Sequence, residues 1–366
     1  MSTDFNSLSI KKIVRETKNS ISVYFDIPEA IADQYSFEPG QYLTLKFDKD
    51  GEEYRRAYSI CTSPLSGDLA VTSKRVQNGV ISNHMNDNLV EGQQVDVMRP
   101  QGTFTVDMNH DRMADYYLFA GGSGVTPMMS LIKTIVEKEP KSAVHLYYGN
   151  SDEENVIFKD ELDALTVKYA GQLTIRHIIS DPIKTKSGFF SKAKSSWNGW
   201  TGYPNQENIS KFLDENPKQG HDQIYMICGP AVMMDVVKNS LESIGVEADK
   251  IKIEYFASPK QGATGDASGA STSGEGTEIK VKLKGEELTV SIPAGKTILD
   301  ALLDLKKDAP YSCTSGACST CVAKVTQGKV EMDACYALDD DEVEAGYILT
   351  CQAHPTTADV EIVYED

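Results

Sequence analysis

Three cysteines, Cys313, Cys318 and Cys321, fall close together, and Cys351 follows thirty residues after the last of them. A C-x4-C-x2-C run with a distant fourth cysteine is the plant-type [2Fe–2S] spacing, in which four thiolates hold two irons. The intervening Ser315, Gly316, Ala317 and Ser319 are small, which lets backbone N–H groups approach the sulfurs and stabilise a negatively charged cluster. A structural zinc site instead pairs two close cysteine couples, so three cysteines together and one apart disfavour zinc. Cys335 is an additional cysteine in the same region. Simple packing as a small hydrophobe accounts for it, and service as a substitute ligand is the other reading.

A second group of residues has the chemistry of nucleotide binding. Arg56-Ala57-Tyr58-Ser59 ends an expected strand; a guanidinium pairs with phosphate, a phenol lies against a flat ring, and a hydroxyl bonds a ring nitrogen. Taken alone, a solvated strand end explains this tetrapeptide as simply. Lys74-Arg75 precedes Gly79-Val80-Ile81-Ser82, a glycine-opened turn into a short helix whose first N–H groups can hold a pyrophosphate. Gly121-Gly122-Ser123-Gly124-Val125-Thr126-Pro127 places a glycine-rich turn between a buried strand and a helix, again aiming backbone donors at a pyrophosphate. It is not the G-x-G-x-x-G fingerprint, and a tight strand–helix turn is its plain reading. Cys228-Gly229-Pro230 ends a later strand at the edge where ligands bind in such sheets.

The elements that must position these residues come in three textures. Short β-branched and aromatic runs at 20–25, 41–47, 57–60, 69–75 and 94–98, punctuated by turns, predict an antiparallel β-barrel or sandwich. From residue 115, strands at 116–120, 144–148, 173–179, 224–228 and 251–256 alternate with helices at 128–138, 158–169 and 231–244, which predicts an α/β doubly wound nucleotide-binding domain. Residues 258–276, SPKQGATGDASGASTSGEG, cannot bury a core and read as a flexible linker. Its random-coil span is about 22–26 Å. Beyond it, 278–284 and 287–292 read as a hairpin and 297–306 as a helix.

Composition narrows the partners. The 366 residues carry a net charge of −18, which makes nucleic acid a poor ligand because phosphate binding needs a basic face. Half the excess lies in the last quarter: 17 acids against 8 lysines and no arginine from residue 277 onward, a balance of −9. That suits an acidic electron carrier steered onto a basic partner, or a merely solvated surface. No run is long and apolar enough to span a membrane, and the polar first residues do not resemble an export signal. Seven cysteines in a reducing cytoplasm then point to metal or catalytic roles before disulfides.

In this order the Arg56–Ser59 motif, the glycine turn and Cys228-Gly229-Pro230 resemble the ferredoxin–NADP reductase superfamily. With a C-terminal plant-type ferredoxin appended, the chain is similar to reductase components of multicomponent oxygenases, those of the phenylacetyl-CoA epoxidase type most of all. The resemblance implies FAD, NADH or NADPH, and a [2Fe–2S] cluster. It also implies an FAD-binding barrel at 1–108, an NAD(P)-binding α/β domain at 109–257, and an α+β β-grasp ferredoxin domain at 277–366. By motif it assigns Arg56, Ala57, Tyr58 and Ser59 to the flavin, Ser59 near its N5, with Lys74, Val80, Ile81 and Ser82 at its phosphates. Gly122, Gly124, Thr126, Gly229 and Pro230 fall to the nicotinamide nucleotide, Cys228 to the nicotinamide ring and Glu254 to the flavin edge; Ser59, Cys228 and Glu254 form the catalytic set.

Two departures bear on the nucleotide. Ser151 stands after Tyr148-Gly149-Asn150, where relatives often have Arg, and Ser180-Asp181 stands where NADPH users often have Ser-Arg. An acid repels a 2′-phosphate and accepts a bond from a 2′-hydroxyl. Lys184 and Lys186 offset this, so the balance leans toward NADH. The expected activity carries electrons from NAD(P)H through FAD to [2Fe–2S] and on to an oxygenase of di-iron, Rieske or alkyl-hydroxylating type. A non-catalytic redox sensor or scaffold is the alternative of another class, and a stand-alone flavin reductase a third.

Overall fold

The computed structural model describes residues 5–185, 194–195, 197–219, 222–256 and 276–365. They form two compact units, the larger spanning Asn6–Phe47 and Tyr58–Ile253, the smaller Met1–Phe5, Asp48–Ala57 and Glu254–Asp366. Almost all of the expected linker, along with Lys186, lies outside the described residues.

The first six strands are β1 (Phe5–Thr17), β2 (Ser20–Asp26), β3 (Tyr42–Lys49), β4 (Glu52–Ser59), β5 (Leu69–Lys74) and β6 (Gln94–Met98). They build one sheet in the order β4-β3-β6-β1-β2-β5. A bridge from Ile60 to Val71 brings the end of β4 onto β5, so the two outermost strands meet and the sheet closes into the antiparallel barrel expected. The inward side chains, Val23, Phe25, Leu43, Leu45, Val71 and Val97, are buried. β1 escaped the sequence reading because its register shifts at Ile10/Lys12 and Arg15/Thr17; each irregularity breaks the period-two alternation by which a strand is recognised. After β5 comes the short helix α1 (Val80–Asn88).

The second sheet alternates with helices: β7 (Ala114–Gly121), α2 (Val125–Lys138), β8 (Ala143–Asn150), α3 (Lys159–Lys168) and β9 (Leu173–Ile179). A two-residue ladder, β10 (Lys184–Thr185) with β11 (Lys194–Ser195), precedes β12 (Trp200–Thr201), α4 (Gln206–Glu215), β13 (Asp222–Cys228), α5 (Ala231–Ser243) and β14 (Ile251–Glu254). The strand order is β12-β9-β8-β7-β13-β14, with β7 parallel to both β8 and β13. The chain therefore moves outward from β7 on one side and returns to its other side, leaving a crevice at the carboxyl ends of β7 and β13. Every residue of β7 is buried, as a strand covered on both faces requires. α4 carries no long apolar stripe: Ile209 and Phe212 are its buried residues, and a capping box between Asn205 and Asn208 starts it. Barrel and α/β sheet share one core, in which Cys61, Ala70, Phe104 and Val106 pack with Tyr116, Leu118 and Met128.

In the smaller unit β15 (Thr277–Leu283) and β16 (Glu286–Ile292) form a hairpin. Lys284 and Gly285 both adopt positive φ, 50° and 79°, as a two-residue type I′ turn demands. Next come α6 (Ile298–Asp304), β17 (Val322–Gln327), β18 (Val330–Met332), α7 (Asp340–Glu344), β19 (Tyr347–Leu349), β20 (Ala353–Pro355) and β21 (Glu361–Val363). The five-stranded sheet runs β16-β15-β21-β17-β19, with β15 and β21 parallel. Ile298, Leu299, Ala301 and Leu302 of α6 join its core with Val281, Val290, Ile348 and Ile362, the α+β β-grasp arrangement. Residues Asp48–Ala57, the turn and start of β4 in the barrel sheet, group in space with this unit, and Arg55 among them is buried.

Candidate nucleotide and iron–sulfur sites

The glycine turn between β7 and α2 sits at the crevice, and close backbone approach explains its composition. A Cβ on Gly124 would fall 2.0 Å from the Cys228 carbonyl oxygen, so only glycine lets the turn lie against the end of β13. Thr126 is buried and its hydroxyl donates to the Ser123 carbonyl at 2.9 Å, which spends it on the turn itself. Gly122 accepts a hydrogen bond from the Tyr148 hydroxyl at 3.0 Å.

A cavity of about 580 Å³ opens over this edge, lined by Lys74, Gly121, Gly122, Gly149, Asn150, Ser180, Tyr203, Pro230 and Met233 among others. Of the expected nucleotide residues, Gly122 and Pro230 reach it, while Gly124, Thr126 and Cys228 are buried outside its lining; Lys74, expected at the flavin phosphates, lines this cavity instead. Burial pulls the Lys74 ammonium below its usual range, with Asp152 partly opposing that. Asn150, of the Tyr148-Gly149-Asn150 run, had no binding role assigned from the sequence, although it ends β8 at the carboxyl edge where such sheets bind ligands. Both of its amide atoms are buried, and the amide faces the Tyr148 hydroxyl. An amide can make up to four hydrogen bonds, so a polar ligand in this cavity suits Asn150. Ser180, of the Ser180-Asp181 pair read from the sequence, lines the cavity, as does Tyr203, 76% exposed, from a loop that carried no motif.

On the barrel side Ser59 is buried at the end of β4, and Tyr58 is half-buried. Arg56 donates from Nη1 to the Arg55 carbonyl at 2.7 Å and lies 5.7 Å from the Tyr54 ring. α1 begins at Gly79 with no side-chain cap, which leaves N–H donors of Val80, Ile81 and Ser82 for an anion. Cys228 is fully buried, and Glu254 ends β14.

The cluster loop has no regular structure, and its cysteines converge. The Cys318 and Cys351 thiols donate hydrogen bonds to the Cys313 sulfur and draw it far below the usual thiol range, while Cys318 and Cys351 are pushed up. Ser315 donates its backbone N–H to Cys313 Sγ at 3.4 Å, and its buried side chain also faces that sulfur. Gly316 has φ +72°, and a Cβ there would lie 2.7 Å from the Ala334 carbonyl oxygen. Cys318, Cys321 and Cys351 are at least 95% buried. Converging buried thiols and a backbone donor on sulfur fit a sulfide-bridged pair of irons. None of the seven cysteines is in a disulfide; Cys335 is half-buried at the edge of the core.

The chain matches three family models in the expected order. They are the oxidoreductase FAD-binding domain over residues 7–106, the oxidoreductase NAD-binding domain over 118–239 and the 2Fe-2S iron-sulfur cluster binding domain over 281–356. It is 34% identical over 364 residues to one subunit of the 1,2-phenylacetyl-CoA epoxidase of Escherichia coli (strain K12), covering 99% of this chain and 98% of that one. It is 33% identical over 370 residues to the ferredoxin reductase component of 3-ketosteroid-9-alpha-monooxygenase from Rhodococcus rhodochrous, covering 98% and 96%. Phthalate dioxygenase reductase, a modular structure for electron transfer from pyridine nucleotides to [2Fe–2S], superimposes with TM-score 0.60 at 26% identity over 98% of each chain. The chain therefore belongs to the flavin- and [2Fe–2S]-bearing reductase family of multicomponent oxygenases, and is an oxidoreductase that passes electrons from NAD(P)H through FAD to its own iron–sulfur cluster.

Proposed function

We propose that this chain is the reductase component of a di-iron monooxygenase of the phenylacetyl-CoA epoxidase type, with NADH as the preferred donor. The end-to-end match to a subunit of that epoxidase carries the reading, since it spans all three modules in the same order. A bound flavin supplies the conversion of a two-electron hydride into single electrons for an iron–sulfur cluster. The chain's own residues bind and orient. Lys74 sets a cation at the cavity wall for a phosphate, Asn150 offers amide groups to the nucleotide, and the Gly122 turn gives it backbone donors. Arg56, Tyr58 and Ser59 hold the flavin, with Ser59, Cys228 and Glu254 around the reacting rings, and Val80, Ile81 and Ser82 take its phosphates. Cys313, Cys318, Cys321 and Cys351 ligate the cluster. Asp181 caps the end of β9 through its N–H to the Ser151 carbonyl at 2.7 Å, an acid beside Ser180 of the cavity that suits a 2′-hydroxyl.

The described residues include no helix long and apolar enough to cross a membrane, and seven thiols outside disulfides suit a reducing cytoplasm. A second reading, service to a Rieske-type hydroxylase, draws on the 33% identity to the ketosteroid monooxygenase reductase. Mixing the purified protein and NADH with each oxygenase decides between them. NADH-dependent oxygenation of phenylacetyl-CoA supports the first; turnover only with the ketosteroid oxygenase replaces it with the second. Failure of NADH or NADPH to reduce the protein anaerobically would leave only a non-catalytic sensor.

A further inference from the structure

Within the smaller unit, the arm at residues 48–57 and the stretch just after β14 both reach the cluster loop. Arg55 is 8% exposed although it is an arginine. Its guanidinium carbon lies 4.3 Å from the centre of the Tyr311 ring, two residues before the cluster ligand Cys313. Nε pairs with Glu53 at 2.8 Å and Nη2 with Asp308 at 3.7 Å, and the Tyr311 hydroxyl donates to the same Glu53 oxygen at 3.3 Å. On the loop's other flank the rings of Tyr255 and Tyr336 lie 4.7 Å apart, and Tyr336 donates its N–H to the Gly316 carbonyl at 3.0 Å. Arg55 directly precedes Arg56, and Tyr255 directly follows Glu254, two residues placed at the flavin under the proposed function.

We propose that Arg55 on Tyr311 and Tyr255 on Tyr336 form a loading dock that holds the cluster loop beside the flavin residues Arg56 and Glu254. The proposal rests on the electron-transfer reading above. With FAD and the cluster bound, Arg55, Tyr255, Tyr311 and Tyr336 would hold the loop where single electrons could pass from reduced flavin to oxidised cluster; a hydride's two electrons would then need two dockings, with the oxygenase acceptor reoxidising the cluster between them. Cation–π and ring contacts of this kind are individually modest, which suits a dock that must also release.

The test uses the full-length protein with FAD and cluster bound, as Arg55→Met, Tyr336→Leu and Arg55→Lys. Stopped-flow spectra separate flavin reduction by NADH from the later reduction of the cluster. Arg55→Met and Tyr336→Leu should each slow cluster reduction about tenfold, equivalent to about 1.4 kcal/mol, while flavin reduction by NADH is unchanged. Arg55→Lys should recover part of the loss. In oxidised protein without nucleotide, both variants should raise amide hydrogen exchange in residues 308–318. Cluster reduction within twofold of the parent in either variant, or unchanged exchange, overturns the dock. An unmodified protein with no reducible cluster would instead strike the electron-transfer reading on which the dock rests.

Discussion

The carbonyl oxygen of Cys228 occupies the space a Cβ on Gly124 would need, at a separation of 2.0 Å. This approach locks the turn after β7 to the end of β13, so two motifs distant in the chain become one edge of the crevice. Gly124→Ala must push the turn off β13. The expected cost is about 1–3 kcal/mol of stability, as for other overpacked sites, together with weaker nucleotide binding. Thermal melts and NADH titration of the purified variant check both; an unchanged melting temperature would count against the tight approach.

Lys74 bears a charge that burial disfavours and a phosphate would welcome. Lys74→Met should leave the nucleotide-free protein as stable as the parent or slightly more so. Loss of a charge-assisted hydrogen bond, about 1.5–3 kcal/mol, should weaken NAD(P)H binding about ten- to a hundredfold. Isothermal titration and differential scanning calorimetry on the same samples separate the two effects.

Cys318 is buried and touches the Cys313 thiol. Cys318→Ser should abolish the EPR signal of the reduced cluster and electron delivery to an external acceptor, and should spare flavin bleaching by NADH. Loss of bleaching with FAD still bound would mean that nucleotide chemistry depends on the cluster ligands.

His145 and His177 in the α/β sheet both lie below the ordinary imidazole value of 6.5 because burial penalises the cation, an effect that Asp115 partly offsets at His145. One nitrogen of each ring has no partner. Depressed native values mean that the unfolded chain takes up these protons first as pH falls. Their contribution to stability is therefore fully present above the ordinary imidazole pKa and is lost as pH drops below it. The melting temperature should hold between about pH 8 and 7 and fall toward pH 5, with a shallower fall in His145→Gln/His177→Gln.

Asp181 follows the cavity residue Ser180. If its carboxylate sets the donor, Asp181→Ala should narrow the ratio of kcat/KM for NADH over NADPH, chiefly by improving NADPH. An unchanged ratio would leave the choice to other cavity residues.

Much of this protein was legible in its residues alone. The Cys313–Cys351 spacing named a cluster because ligand chemistry demands particular residues at particular intervals, and the change from period-two runs to strand–helix alternation marked the barrel and the doubly wound sheet. What escaped were features without a periodic signature: β1, whose bulges break alternation, and α4, with its short buried face. Asn150, Tyr203 and the Arg55–Tyr311 pair escaped for a different reason. Local sequence reports a residue's type and its neighbours in the chain, whereas burial of an amide, closure of a crevice and the meeting of residues 55 and 311 depend on long-range packing that only the folded backbone decides.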